Sequence, residues 1–208
     1  GRWGVLELRA FEMPPHSQMA LVQALLVPSI VARCWESPYL HDPVRWGTGP
    51  HDRYLLPWYV QHDLDDVIED LANHGIDLDP AWFDPFVEFR FPRHGTVTVD
   101  GVTMELRGAI EPWHVLGEES SGTGTARYVD SSVERLQLRV DGIVDGRHVV
   151  TCNGVEVPLT PTEVPGLYVA GVRFKAWAPP SGLHPTIDVQ SPLTFDVIDK
   201  RNRRSLGG

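Results

Sequence analysis

The sequence predicts an α+β chain: an N-terminal strand and helices, then an antiparallel β-sandwich of jelly-roll-like type. Three observations carry this. Apolar residues recur at helical spacing from Met19 to Ile30 and from Val60 to Leu71. From Phe86 onward the pattern changes to alternation with period two. Turn dipeptides at Asp100-Gly101, Asp145-Gly146 and Asn153-Gly154 then punctuate the β-rich runs. The change of character divides the chain into residues 1–85 and 86–208, or near 125 if the first hairpin belongs with the helices.

Trp3 to Phe11 reads as an opening strand, stopped by Pro14-Pro15. Ser17 is a plausible N-cap for a helix carrying Met19, Val22, Leu25, Leu26 and Ile30 on one face. Pro28 removes a backbone bond inside it, so a kink, or an end by Val27, is expected. Glu36 to Pro57 has prolines, glycines and aromatics without a period and reads as an ordered loop. Pro57 opens an amphipathic helix through Val60, Leu64, Val67, Ile68 and Leu71, which Gly75 stops. Its acidic residues crowd the first half, where the helix dipole favours negative charge. A short turn follows at Asp79 to Phe83, with Asp79 capping and Pro80 first. Strands are expected at Val87–Phe91, Thr96–Val99, Val102–Arg107, Val133–Val140, Leu167–Trp177 and Leu193–Ile198.

Composition narrows the function classes. Across 208 residues, 18 basic against 28 acidic side chains give a net charge of −10, which opposes nucleic-acid binding. The longest apolar stretch, Met19 to Cys34, is broken by Gln23, Pro28 and Arg33, so no membrane partner is expected. Two cysteines cannot make a disulfide framework and suit a reducing compartment, so a cytoplasmic location is expected. The opening on a strand-like run without an initiator methionine reads as a piece of a larger polypeptide. The basic end, Asp199 to Gly208, reads as a solvated tail, with a nucleic-acid arm as the minor reading.

Glu-x-Arg occurs three times, at Glu7/Arg9, Glu88/Arg90 and Glu105/Arg107. On a strand, residues i and i+2 share a face, so each triplet sets an acid beside a guanidinium. Three such strands would give a polar face able to hold a carboxylate or phosphate through arginine forks. They equally fit a water-facing sheet with cross-strand ion pairs. His-Asp occurs at 41–42, 51–52 and 62–63, but only the last pair falls on a helix, so solvated side chains are the better reading than a metal centre. Ser120 to Thr125 is glycine-rich but lacks the Lys-Ser/Thr of a phosphate cradle, so a mobile loop is expected. Cys152, before an Asn-Gly turn, reads as a small buried hydrophobe.

Val5 to Pro15 followed by Gln18 to Ala32 is similar to the closing strand and helix of carboxylate–amine ligases. More broadly, the chain resembles the C-terminal part of a bacterial amidoligase domain of unknown function, attached to a transglutaminase-like region. The likeness includes Glu7 to His16, Val44 to Gly47, Glu111 to Glu119, Ala126 to Leu136, Val150 to Gly154, Leu183 to Ile187 and Ser205 to Gly208. The resemblance implies a parent that activates a carboxylate with ATP and Mg²⁺ and lets an amine attack the acyl phosphate. It implies Glu7 and Arg9 as catalytic residues, with Arg90 and Arg107 as substrate-binding residues from the Glu-x-Arg pattern. Magnesium ligands are expected upstream, so no cofactor and no activity are expected of residues 1–208 alone. The implied partners are the rest of the parent chain, with its transglutaminase-like region, and a peptide substrate. The competing reading is a non-catalytic β-sandwich that grips a peptide or glycan through Trp113, Tyr168 and Trp177, or that serves as a spacer.

Overall fold

The computed structural model describes residue 4 and residues 7–112, 114–129, 131–178 and 188–208. The chain divides into two compact units, 1–44 with 61–90, and 45–60 with 91–208. The sequence boundary near residue 85 falls inside a helix that ends the first unit.

The predicted apolar stripes lie on α1 (Ser17–Glu36) and α2 (Pro57–Asn73), of which all but the first turn of α2, 57–60, belongs to the first unit. Ile68, Leu71, Leu78 and Phe83 form the buried core, with Val22, Leu26 and Leu64 packed against it. Two details of α1 differ from expectation. His16, not Ser17, is the N-cap: its Nδ1 accepts from the Gln18 N–H at 3.2 Å. The helix also continues through Pro28 to Glu36. Pro28 forfeits one backbone bond, and next to it the Ser29 hydroxyl donates to the Leu25 carbonyl at 2.8 Å.

By length and composition alone α1 could cross a membrane, contrary to the sequence reading of that stretch. In the described fold its last turn is tied down instead. Arg33 donates to both Asp70 oxygens, at 2.6 and 2.9 Å, and to the Ser37 carbonyl at 2.7 Å. The Arg33 side chain is 11% exposed, so this bidentate pair is partly desolvated and stronger than a surface ion pair. Leu21, Leu25, Val31 and Trp35 remain exposed on α1.

Pro57 starts α2 as expected, and Gly75, at φ +78°, ends it. The Ile76 N–H donates to the Leu71 carbonyl and the Gly75 N–H to that of Ala72, the paired bonds of a Schellman stop. Asp79 caps the following 3-10 turn by accepting from the Ala81 N–H at 2.9 Å.

Two expected strands are absent from this unit. Residues 7–14 have no regular structure, and Trp3, Val5 and Leu6 of the expected opening strand lie outside the described residues. Val87–Phe91 was expected as a strand, but Asp84–Arg90 forms helix α3. Five alternating residues fit either period, and the choice falls to context. Asp84-Pro85 sets a helix start, and the Phe86 and Val87 N–H groups both donate to the Phe83 carbonyl.

The second unit holds the sheets. Strands β1 (Arg93–Val99), β2 (Val102–Ala109), β3 (Val115–Ser121), β4 (Gly124–Val129), β5 (Val133–Asp141) and β6 (His148–Cys152) come first. Strands β7 (Val155–Glu156), β8 (Thr160–Pro161), β9 (Leu167–Lys175), β10 (Phe195–Asp199) and β11 (Arg204–Gly207) complete the series. One sheet has the order β1-β2-β5-β9-β8, a second β11-β10-β6-β7, and β3-β4 is a separate hairpin. Every pairing is antiparallel, in keeping with the predicted class.

Side chains from both main sheets share one core. Val102, Met104, Leu138, Val140 and Ala170 from the five-stranded sheet join Val150, Phe195 and Val197 from the four-stranded one. Burying each of these side chains other than Ala170 contributes about 1.5–3 kcal/mol, which makes this core the main stabilising feature of the unit.

Two of the three dipeptide signals are hairpin turns, whereas Asp145-Gly146, with positive φ only at Gly146 (72°), turns between β5 and β6 of different sheets. Asp100-Gly101 (φ 50° and 81°) and Asn153-Gly154 (φ 50° and 81°) have the two positive φ values of a tight hairpin turn. The segment expected as a mobile loop and the one expected as a solvated tail both take up strand structure. The stretch at Ser120 to Thr125 is the tight turn of the β3-β4 hairpin, with Ser121 paired to Gly124. The basic tail folds back as β11 on β10. Its turn is organised by the fully buried Asp199, which accepts from Asn202 N–H at 3.0 Å, Asn202 Nδ2 at 2.8 Å and Arg147 Nη2 at 2.8 Å. The hydrogen bond from Arg147, then those from Asn202, hold the Asp199 carboxyl far below the usual carboxylate range.

Two outcomes follow. Leu138→Ala should cost about 2–5 kcal/mol in urea unfolding, with the m-value unchanged. Because the folded form of Asp199 has the lower pKa, its stabilisation is present above pH ~4 and lost as pH falls through the folded value. The Asp199→Asn variant should therefore have a lower Tm at pH 7 and a flatter loss of Tm between pH 5 and 2 than the wild type.

Candidate functional site

The three Glu-x-Arg triplets were expected to lie side by side on one polar sheet. The structure separates them by type. Glu7 and Arg9 lie in the irregular segment before α1, where Arg9 Nε and Nη2 donate to the two Glu7 oxygens at 2.8 and 3.1 Å. Their side chains are 66% and 82% exposed, so the pair adds little stability. Such a guanidinium can exchange its carboxylate partner for another oxyanion at low cost. Arg90 ends α3 and faces Glu12 at 3.7 Å. It belongs to the first unit and Arg107 to the second, so the shared sheet face is a correction to the sequence reading.

Only Glu105 and Arg107 sit on a strand as expected. On β2, Arg107 Nε donates to Glu105 at 2.8 Å and Nη1 to the Phe91 carbonyl at 3.3 Å. Arg93 on β1 reaches the other Glu105 oxygen at 3.2 Å. Around this pair lies a polar face that the triplets did not announce. Inward residues of β2, β5 and β9 are even-numbered and line the core, so the odd-numbered ones face outward.

That outward face carries Arg107, Arg135, Gln137, Arg139 and Arg173. Register sets Arg93 opposite Arg107 and Arg135 opposite Arg173. Gln137, 3% exposed, accepts from the Trp58 N–H at 2.8 Å, and the Arg139 guanidinium lies 5.4 Å from the Trp58 ring centroid. Arg173 Nε faces Glu111 at 3.3 Å, and the Glu111 side chain is almost fully buried. The Arg135 guanidinium lies against Gly171, where an added Cβ would stand 2.5 Å from Nη2. Sequence reasoning found the β5 alternation but not its outward set. The signal was present: Arg135, Gln137 and Arg139 occur at every second position of a strand whose other face is apolar.

The remaining motifs do not assemble. Among the described residues no group of three or more His, Cys, Asp or Glu side chains could hold a metal ion, so the described part offers no fit for magnesium. Burial pushes the Cys152 thiol up, away from nucleophilic use. Trp113 and the 183–187 motif lie outside the described residues, and Trp177 Nε1 donates to the Ser131 carbonyl at 3.2 Å.

A family model described as "Putative amidoligase enzyme (DUF2126)" matches residues 1–208. The chain belongs to this family. No curated protein and no solved structure matches it. The amidoligase assignment thus extends over both units, including the irregular Glu7–Arg9 segment and the arginine-bearing sheet face.

Gly171→Ala would force the Arg135 guanidinium off its seat. The variant should lower Tm and shift amide resonances of β5 and β9 while leaving those of α1 and α2 in place, as a ¹⁵N–¹H correlation spectrum would record.

Proposed function

We propose that this amidoligase chain works in ATP-dependent joining of a carboxylate to an amine through an acyl phosphate. The family match over all 208 residues is the observation that carries the reading. In such chemistry negative charge gathers on the acyl phosphate and its tetrahedral successor, and fixed guanidinium groups stabilise it. The Glu7–Arg9 pair supports this role, with a bidentate guanidinium that is open to solvent and held by a single exchangeable carboxylate. On this reading Arg90 of the first unit and Arg107 of the second, fixed by Glu105 and the Phe91 carbonyl, are each a cation suited to a substrate carboxylate.

ATP and Mg²⁺ belong to this reading through the family likeness alone. The described residues contain no metal-ligating cluster, so no step is assigned to a metal here. The exposed apolar residues of α1, among them Leu21, Leu25 and Trp35, support packing against further ligase polypeptide, with the transglutaminase-like region as a second partner and a peptide as the substrate class.

In a chain carrying the whole ligase, Arg9→Ala should lower amine- and carboxylate-dependent ATP turnover roughly 10²–10³-fold. Arg9→Lys should restore only part of it, because a point charge lacks the guanidinium fork. Turnover unchanged in Arg9→Ala removes the assignment.

A further inference from the structure

The five-stranded sheet carries a concentration of arginine on its outward face. Arg93 stands opposite Arg107, and Arg135 opposite Arg173, as directly paired cross-strand neighbours. Like charges set opposite one another are destabilising, and here two such pairs fall on one face of one sheet. Arg107 and Arg135 are diagonal neighbours, since Arg107 is opposite Gln137 and Arg135 opposite Ala109. The register therefore makes Arg107 and Arg135, and Arg135 and Arg173, neighbouring positions on three successive strands. The carboxylates in register with them are Glu105 and, at the far end, Asp141, with Glu111 just beyond β2.

Burial sharpens the point. Arg135 is 8% exposed and the Arg107 side chain 11%. Glu105 and the Phe91 carbonyl fix the Arg107 fork, Glu111 holds Arg173, and the absent side chain of Gly171 leaves the space that the Arg135 fork occupies, so the guanidinium groups are set in place before any ligand arrives. Arg173 stays half exposed, so the face has an open side. On a chain of net charge −10, a local set of desolvated arginines focuses potential for a small anion.

We propose that the Arg107–Arg135–Arg173 stretch is a binding site for an oxyanion, a carboxylate or a phosphate group, held by guanidinium forks from β2, β5 and β9. The site shares Arg107 with the ligase reading and deepens it, but it is argued from sheet register and burial, and anion binding is measured without ATP or amine.

Thermal unfolding of residues 1–208 is followed against inorganic phosphate in one arm and glutarate in the other, at ionic strength matched with chloride. One of the two should raise Tm saturably, and the arm that does so names the source of the oxyanion. In Arg107→Lys the apparent Kd should rise at least tenfold. The same loss is expected in Arg173→Gln combined with Glu111→Gln, which removes both charges of that pair together. If one variant does not fold, the other decides. No saturable shift in either arm, or equal shifts in wild type and a folded variant, overturns the proposal. Ligase turnover can fail while this binding stands, and the reverse, so the two readings are separable.

Discussion

A guanidinium group keeps its charge at every pH a protein meets, so an arginine drawn from water must take polar partners with it. This chain has 18 basic residues, of which only Lys175 and Lys200 are lysine, and its tertiary structure is organised around that demand. Arg33 joins α1 to α2 through Asp70, and that bond holds the Asp70 carboxyl below its ordinary range. Arg147 reaches the fully buried Asp199 and so fixes the turn that returns β11 to the sheet. Arg107 and Arg93 share Glu105, and Arg173 takes Glu111. Except for Arg107–Glu105 within β2, each contact joins segments far apart in sequence or adjacent strands, which a solvated lysine would leave loosely coupled.

The sandwich supplies the frame on which these pairs are placed. Its even-numbered residues on β2 and β5 are consumed by the core, leaving the odd-numbered set outward. On most two-sheet proteins that outer face meets water. Here the Leu56–Trp58 segment lies with this unit: Leu56 is 1% exposed, and Trp58 bonds Gln137 and faces Arg139. A polar layer partly removed from water gains electrostatic strength, because the local dielectric falls. The same desolvation that makes its arginines costly makes them effective toward an anion.

Membership in the amidoligase family extends over both units, yet the chemistry-bearing groups differ between them. Glu7 and Arg9 lie on an irregular segment in water, where a bidentate pair is exchangeable. Arg107 is rigid, fixed at two of its nitrogens. Exposed pairs suit ligand capture, and fixed ones suit orientation.

Local pattern was sufficient wherever one period or one turn chemistry dominated. The α2 stripe, its Gly75 stop, the Asp79 cap and the Asp100-Gly101 and Asn153-Gly154 turns were all legible, because each depends on residues within a few positions. The α+β class followed from the switch of period near Phe86. Short ambiguous runs were not legible: Val87–Phe91 alternates like a strand, but Asp84-Pro85 and the Phe83 carbonyl commit it to a helix. Nor could a triplet such as Glu-x-Arg disclose its setting, since the spacing is the same in an irregular segment, a helix and a strand. Only antiparallel register set Arg135 opposite Arg173 and diagonal to Arg107, because ladder partners are chosen by the burial of the opposite face and not by the charged residues themselves.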